Sequence, residues 1–201
     1  MLLDSLMPEF DASRIEHRVI DGPTADVYEA VVRADFLDAV RRSRTVRGLF
    51  ALRAAGERIA AAARRSPPVN PPELAALRLA DLPEHGDWVR LGEDSPNEFA
   101  FGAVGRFWGG ETTWEQIDSS AFTSFETPGY AKIVADLSLR SYGHHRTLLS
   151  YEARTQTTDA AARRAFLRYW TLVAPGVGVV MRSALAVIAQ EAQVSLPKQQ
   201  L

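Results

Sequence analysis

Hydrophobic positions change period along this chain, and the last period says most about the whole. Over residues 159–194, Phe166, Trp170, Val173, Val177, Val180, Ala184 and Ile188 recur at spacings of mostly three and four, the mark of a helix with one apolar stripe. Arg164, Arg168, Pro175, Gly178 and Arg182 fall on the opposite side. A proline there removes an amide donor and crowds the preceding turn, so the pattern predicts a helix bent on its outer side, not one that stops. So long an apolar belly needs a wide partner surface, and a curved sheet fits it.

The earlier segments supply that partner. Residues 14–20 alternate, with Ile15, His17 and Val19 on one face, and predict a first strand whose His17 could face the core. Asp21-Gly22-Pro23-Thr24 turns the chain, and Thr24 is placed to cap a helix carrying Val27, Tyr28, Val31 and Val32. A second helix is predicted from Asp35 to about Arg65, after which Ser66-Pro67-Pro68 and Asn70-Pro71-Pro72 stop regular structure. From Asp87 the period becomes two. Strands over 88–93, 97–108 and 112–117 form a meander in which Gly105 lies opposite Trp114, so the ring covers the bare glycine. Phe99, Phe101, Ala103, Trp114 and Gln116 then share a face, and Gly102 and Gly105 predict a bulge or strong curvature. After a short turn carrying Phe122 and Phe125, strands 130–140 and 146–157 make a hairpin about Tyr142-Gly143-His144. Pairing Ile133 with Ala153 and Leu137 with Leu149 puts an apolar face on the core. The reverse, with Lys132, Asp136, Ser138, Glu152 and Arg154, reads as solvated.

Composition narrows the class without naming a function. A chain of 201 residues, 46% hydrophobic, supports one domain over 1–201, with a helical and proline-rich insertion at about 48–83. The formal charge of −2 provides no global field for nucleic acid. Charge is uneven, however: residues 33–65 carry nine arginines against three acids. This stretch lacks an aromatic face for bases or lipid, which favours a solvated helix face. Cysteine is absent, which excludes disulfides and thiolate chemistry and points to a reducing compartment. The opening lacks a basic segment before a long apolar run, and no uncharged run reaches spanning length, so a cytoplasmic protein without stable membrane insertion is expected.

The order strand, helices, antiparallel meander and long terminal helix resembles the helix-grip fold of the START-like, Bet v 1-like superfamily, also called the SRPBCC or polyketide cyclase/dehydrase-like group. The local stretches that carry the resemblance are Val19-Ile20-Asp21-Gly22-Pro23-Thr24, Phe101-Gly102 through Gly105-Arg106-Phe107-Trp108, Pro128-Gly129-Tyr130-Ala131-Lys132, and Glu152-Ala153-Arg154 ahead of Phe166 and Tyr169-Trp170. The resemblance implies an α+β fold, a curved antiparallel sheet wrapped around a long C-terminal helix, often enclosing a cavity for a hydrophobic small molecule. It implies no particular chemistry, because fold alone does not choose among carriers, receptors and cyclases.

Candidate chemistry is sparse. His144 and His145 are adjacent, with no carboxylate at ligand spacing, and read as a turn pair, not a metal site. No nucleophile elbow, Walker loop or dinucleotide fingerprint appears. No catalytic residue, metal or cofactor is nominated. If a ketone or enol were processed, Tyr151, Gln116 or Thr155 would orient it. Phe101, Trp114, Leu137, Tyr151, Trp170, Val177 and Met181 are expected to converge between sheet and helix as a mostly apolar wall. The expectation is binding, carriage or sensing of a lipid- or polyketide-like molecule. A cyclase or dehydratase using the same cavity, and a solid-core interaction protein, are the alternatives.

Overall fold

A computed structural model describes residues 1–36, 78–108 and 112–195. In chain order these form helix α1 (Leu2–Leu6), strand β1 (Ala12–Asp21), helix α2 (Thr24–Arg33), strands β2 (His85–Gly86), β3 (Val89–Asp94), β4 (Glu98–Arg106), β5 (Thr113–Glu115), β6 (Ile117–Asp118), β7 (Ala131–Ser141) and β8 (Arg146–Thr157), and helix α3 (Ala160–Ser195). The main sheet runs β1-β8-β7-β4-β3, with β5 added along β4, and its edges do not meet; β2 and β6 pair separately. Every pairing is antiparallel. This is the α+β arrangement expected, an antiparallel sheet with the long terminal helix laid against it. The predicted second helix beyond Phe36, its arginines, and the 48–77 part of the insertion lie outside the described residues.

Register is where turn chemistry overrides simple symmetry. Gly105 pairs with Trp114 and Arg106 with Thr113, as expected. A side chain at Gly105 would place its Cβ 2.5 Å from Trp114 Cε3 and 2.7 Å from the Thr113 carbonyl oxygen, so the indole occupies that space. The β7–β8 hairpin is offset by two residues from the expected pairing: Ile133 lies opposite Thr155, Ala135 opposite Ala153 and Leu137 opposite Tyr151. The turn is centred on His144, because both Gly143 and His145 take positive φ and Tyr142 N–H bonds the Arg146 carbonyl at 2.8 Å. A shift of two preserves which side chains face inward. The bulge also moves, to β3 between Arg90 and Gly92 rather than to the glycines of β4. Gln116 leaves the expected face, since β5 ends at Glu115; it is exposed and donates to Asp87.

The inner face packs on α2 and the C-terminal half of α3. Leu137, Leu139 and Leu149 are buried with Val27, Val31, Leu185 and Ile188. Helix α2 starts after Pro23 without a side-chain cap; Thr24 instead lies in the first turn, its Oγ1 3.5 Å from Ser141 Oγ. Tyr28, 3% exposed, donates to Glu93 Oε1 at 2.5 Å and so ties α2 to β3. Tyr28→Phe is expected to lower stability by about 1–2 kcal/mol in urea unfolding, the worth of a hydrogen bond to a partly screened charge. An unchanged midpoint would remove this link from the fold's energetics.

The outer face is not the solvated surface expected. Lys132, Asp136, Ser138 and Arg154 are buried, because α1 and the segment after β6 cover them. Leu3, Met7, Val89, Val104, Ile117, Phe122 and Val134 form a second apolar cluster on this side. Arg154 clamps α1 down: it bonds Glu152 at 2.8 Å, Asp4 at 2.9 Å and the Met7 carbonyl at 3.0 Å, and lies 4.7 Å from the Phe10 ring centroid. Lys132 reaches the Thr123 carbonyl at 3.0 Å. Polar alternation therefore marks partnered side chains here, and Arg154 and Glu152 are a shielded pair, not a surface one. His17, Ile15 and Val19 are exposed where this cover stops short of β1; His17 bonds Ser150 Oγ at 2.9 Å and does not face the core.

Helix α3 runs unbroken through Pro175, which is exposed as expected. Asp159 caps it, accepting from the amides of Ala161 at 2.7 Å and Ala162 at 2.9 Å, while its other oxygen accepts from Gly129. The helix is long and apolar enough to cross a membrane by length and composition; in this fold it is the core helix. Gly178, expected on the outside, is buried against β1. A Cβ there would fall 2.6 Å from Arg14 Nη2 and 2.8 Å from Glu16 Oε1.

Candidate ligand site between sheet and helix

Packing on the inner face is uneven along α3. Leu137 is 0% and Met181 2% exposed, so these two expected wall residues are sealed into the core and offer no surface to a ligand. Nearer the start of the helix the picture changes. Ile133, Tyr151 and Ala153 on the sheet, and Trp170, Val173, Val177 and Val180 on α3, all remain half-buried although they point into the fold's apolar side. Ala153, Ala174 and Gly176 in the same region are small and also half-buried.

Around this region the aromatic residues join into one continuous arc. Phe36 meets Phe101 and Tyr151, each at 6.4 Å between centroids. Phe101 lies 6.5 Å from Tyr151 and 5.9 Å from Trp88. Trp88 contacts Trp114 at 5.5 Å, which stacks on Phe107 at 5.8 Å. Phe107 then meets Phe166 at 5.9 Å, and Phe166 meets Trp170 at 5.9 Å. Tilted and edge-to-face geometries at these spacings are the favoured ones for aromatic pairs. Of the expected wall, Phe101, Trp114, Tyr151 and Trp170 are thus linked by rings, with Val177 on the same helical stripe. Sequence reasoning missed Phe36, Trp88 and Phe107; the density of aromatics over 99–114 was the available signal, whereas Phe36 is brought in by the tertiary fold.

Tyr151 differs from every other ring in the arc. Protein crowds it enough to push its pKa to about 12, by burial alone, yet its side chain keeps accessible surface. No described residue hydrogen-bonds its hydroxyl, which is a neutral donor at physiological pH. A hydroxyl so placed can donate to a ligand or to solvent.

The other candidate chemistry disperses. Gln116 lies outside, and Thr155, buried on the inner face, is four residues along β8 from Tyr151, about 13 Å at strand rise. His85 bonds Asp118 at 2.9 Å on the surface, and His144 and His145 are exposed in the hairpin turn. Among the described residues no group of three or more His, Asp or Glu is placed to hold a metal ion.

The fold, an open antiparallel sheet with a long terminal helix laid against it, is the helix-grip arrangement that the resemblance implied. No family model and no curated protein matches the chain. Among solved structures it is similar to a conserved protein from Geobacillus kaustophilus (10% identity, 92% of this chain and 97% of that one, TM-score 0.40). It is similar also to a protein from Mesorhizobium loti (9% identity, 92% and 100%, TM-score 0.41). The Zhui aromatase/cyclase from Streptomyces sp. R1128 matches at 10% identity over 93% of this chain and 96% of that one, with a TM-score of 0.31. At these identities and scores no neighbour lends its role to this chain.

Proposed function

We propose that this protein binds a hydrophobic small molecule between the sheet and the first half of α3, as a carrier or sensor with no reaction of its own. The observation that carries this reading is the Tyr151 hydroxyl, which has no partner among the described residues and lies in an aromatic arc of which Trp88, Trp114 and Trp170 keep accessible surface. A mostly apolar wall with one oriented polar group is the usual composition of a small-molecule site. The cyclase alternative needs two polar groups within reach of one carbonyl, and the separation of Tyr151 from Thr155 weighs against it. With its cysteine-free chain, the protein would work in the cytoplasm.

Native mass spectrometry of protein from its own host tests the reading: a co-purifying lipophilic mass is expected, or uptake of the neutral dye N-phenyl-1-naphthylamine with a shift of its emission to the blue. Tyr151→Phe should keep the fold and dye uptake while weakening a ligand that accepts a hydrogen bond by about tenfold, the worth of one such bond. A clean apo mass together with no dye uptake would sink the reading.

A further inference from the structure

Directly beside Tyr151 the inner edge of the sheet becomes cationic. Glu16 of β1 pairs with Tyr151 of β8 in the ladder, and directly opposed residues on one face have Cβ atoms about 5 Å apart. Glu16 Oε1 accepts from Arg14 Nε at 2.9 Å and from Arg182 Nη1 of α3 at 2.7 Å. Burial works against its charge, but the two arginines outweigh this and hold its carboxyl below the usual range. The guanidinium of Arg14 fits only because Gly178 has no side chain. Two cations therefore share one carboxylate, and Arg18, two residues further along the same face and exposed, adds a third. Arg14 Nη2 also bonds Glu16, and the remaining N–H groups, Arg14 Nη1 and Arg182 Nε and Nη2, have no hydrogen-bond partner among the described residues. The side chains of Arg14 and Arg182 are 36% and 51% exposed, so solvent reaches them. An excess of fixed positive charge at the rim of an apolar site selects a ligand with an anionic head.

Resting on the binding reading above, we infer that the ligand is an amphiphile whose apolar body lies along the aromatic arc and whose carboxylate is held at the β1–α3 seam by Arg14 and Arg182. The guanidinium forks offer paired donors to a carboxylate, while Tyr151, a neutral donor one strand inward, suits a second oxygen of the same molecule.

Matched probes test this. Dodecanoate and 1-dodecanol share their chain and differ in head group, and each can be titrated against bound N-phenyl-1-naphthylamine. Dodecanoate is expected to bind at least tenfold tighter than 1-dodecanol, and only its affinity should fall as salt rises. Arg182→Gln, which leaves Glu16 paired with Arg14, should bring the ratio of the two affinities near one while 1-dodecanol binds as before. Glu16→Gln, which frees both arginines, should raise the ratio. If dye and 1-dodecanol bind but dodecanoate binds no tighter, or if Arg182→Gln leaves the ratio unchanged, the anionic head is wrong and the apolar site stands. If none of the three probes binds, the site itself is wrong and this inference falls with it.

Discussion

Asp136→Asn is expected to stabilise this protein, by an amount that grows with pH. Asp136 is fully buried at the centre of the sheet's outer face, opposite Glu152 on β8 and next to Ala100 on β4. As a carboxylate, neither of its oxygens meets a donor; as the acid, it donates to Glu98. Burial first, then the charge and hydrogen bond of Glu98, then Glu152, raise its pKa from 3.8 to about 8, with the chain's amino terminus acting the other way. Arg154 faces the cluster but is already bonded to Glu152 and Asp4. An acid whose pKa is raised on folding binds its proton more tightly in the folded state, so stability falls as pH climbs from about 4 to about 8 and is level above. The full rise corresponds to on the order of 5 kcal/mol. Movement of α1 and entry of water relieve part of it, leaving a gain of about 2–3 kcal/mol for the asparagine at pH 9 and about 1 kcal/mol at pH 5. Asparagine keeps the shape and can donate to Glu98. Urea midpoints at the two pH values decide: an equal gain at both, or a loss at pH 9, contradicts the assignment of Asp136 as a buried acid.

That residue also shows why part of the fold was legible in the sequence and part was not. Strand positions and inward faces follow from period-two alternation, and the α3 stripe from period 3.6, because both report burial by apolar side chains. Phe166, Ala184 and Ile188 are accordingly buried. Alternation does not report a polar face covered by another element. Asp136, Lys132 and Arg154 look like solvent positions until α1 and the segment after β6 are folded over them. The signal for α1 was present in the apolar spacing of Leu2, Leu3, Leu6 and Met7, but five helical residues fall below the length at which a helix is evident without tertiary support. Of the expected site, Phe101, Trp114, Tyr151 and Trp170 come together because the β4–β5 pairing about Gly105 was readable. Leu137 and Met181 do not join them. Which apolar residues on one face seal the core and which keep accessible surface depends on how α3 crosses the strands, and that crossing includes the close contact of Gly178 with Arg14.

The same crossing separates two aromatic residues that the sequence cannot tell apart. Phe166 and Trp170 are one turn apart on one stripe, with ring centroids 5.9 Å from each other. Phe166 is fully buried, wedged among Phe107, Trp108 and Trp170, while Trp170 keeps accessible surface. Deleting the first removes packing and leaves a void, so Phe166→Ala is expected to cost about 3–5 kcal/mol in urea unfolding. On the binding reading the second ring forms part of the ligand's wall, and Trp170→Ala should cost only about 1–2 kcal/mol, since less area returns to water than for a fully buried ring. Its larger effect should fall on binding, with dye affinity reduced at least tenfold. A solid core reverses this pattern: Trp170→Ala would then destabilise as much as Phe166→Ala. It would leave no binding to lose. Unfolding and dye titration on the two variants together therefore distinguish a wall from a wedge, because area burial governs the first measurement and access to the arc governs the second.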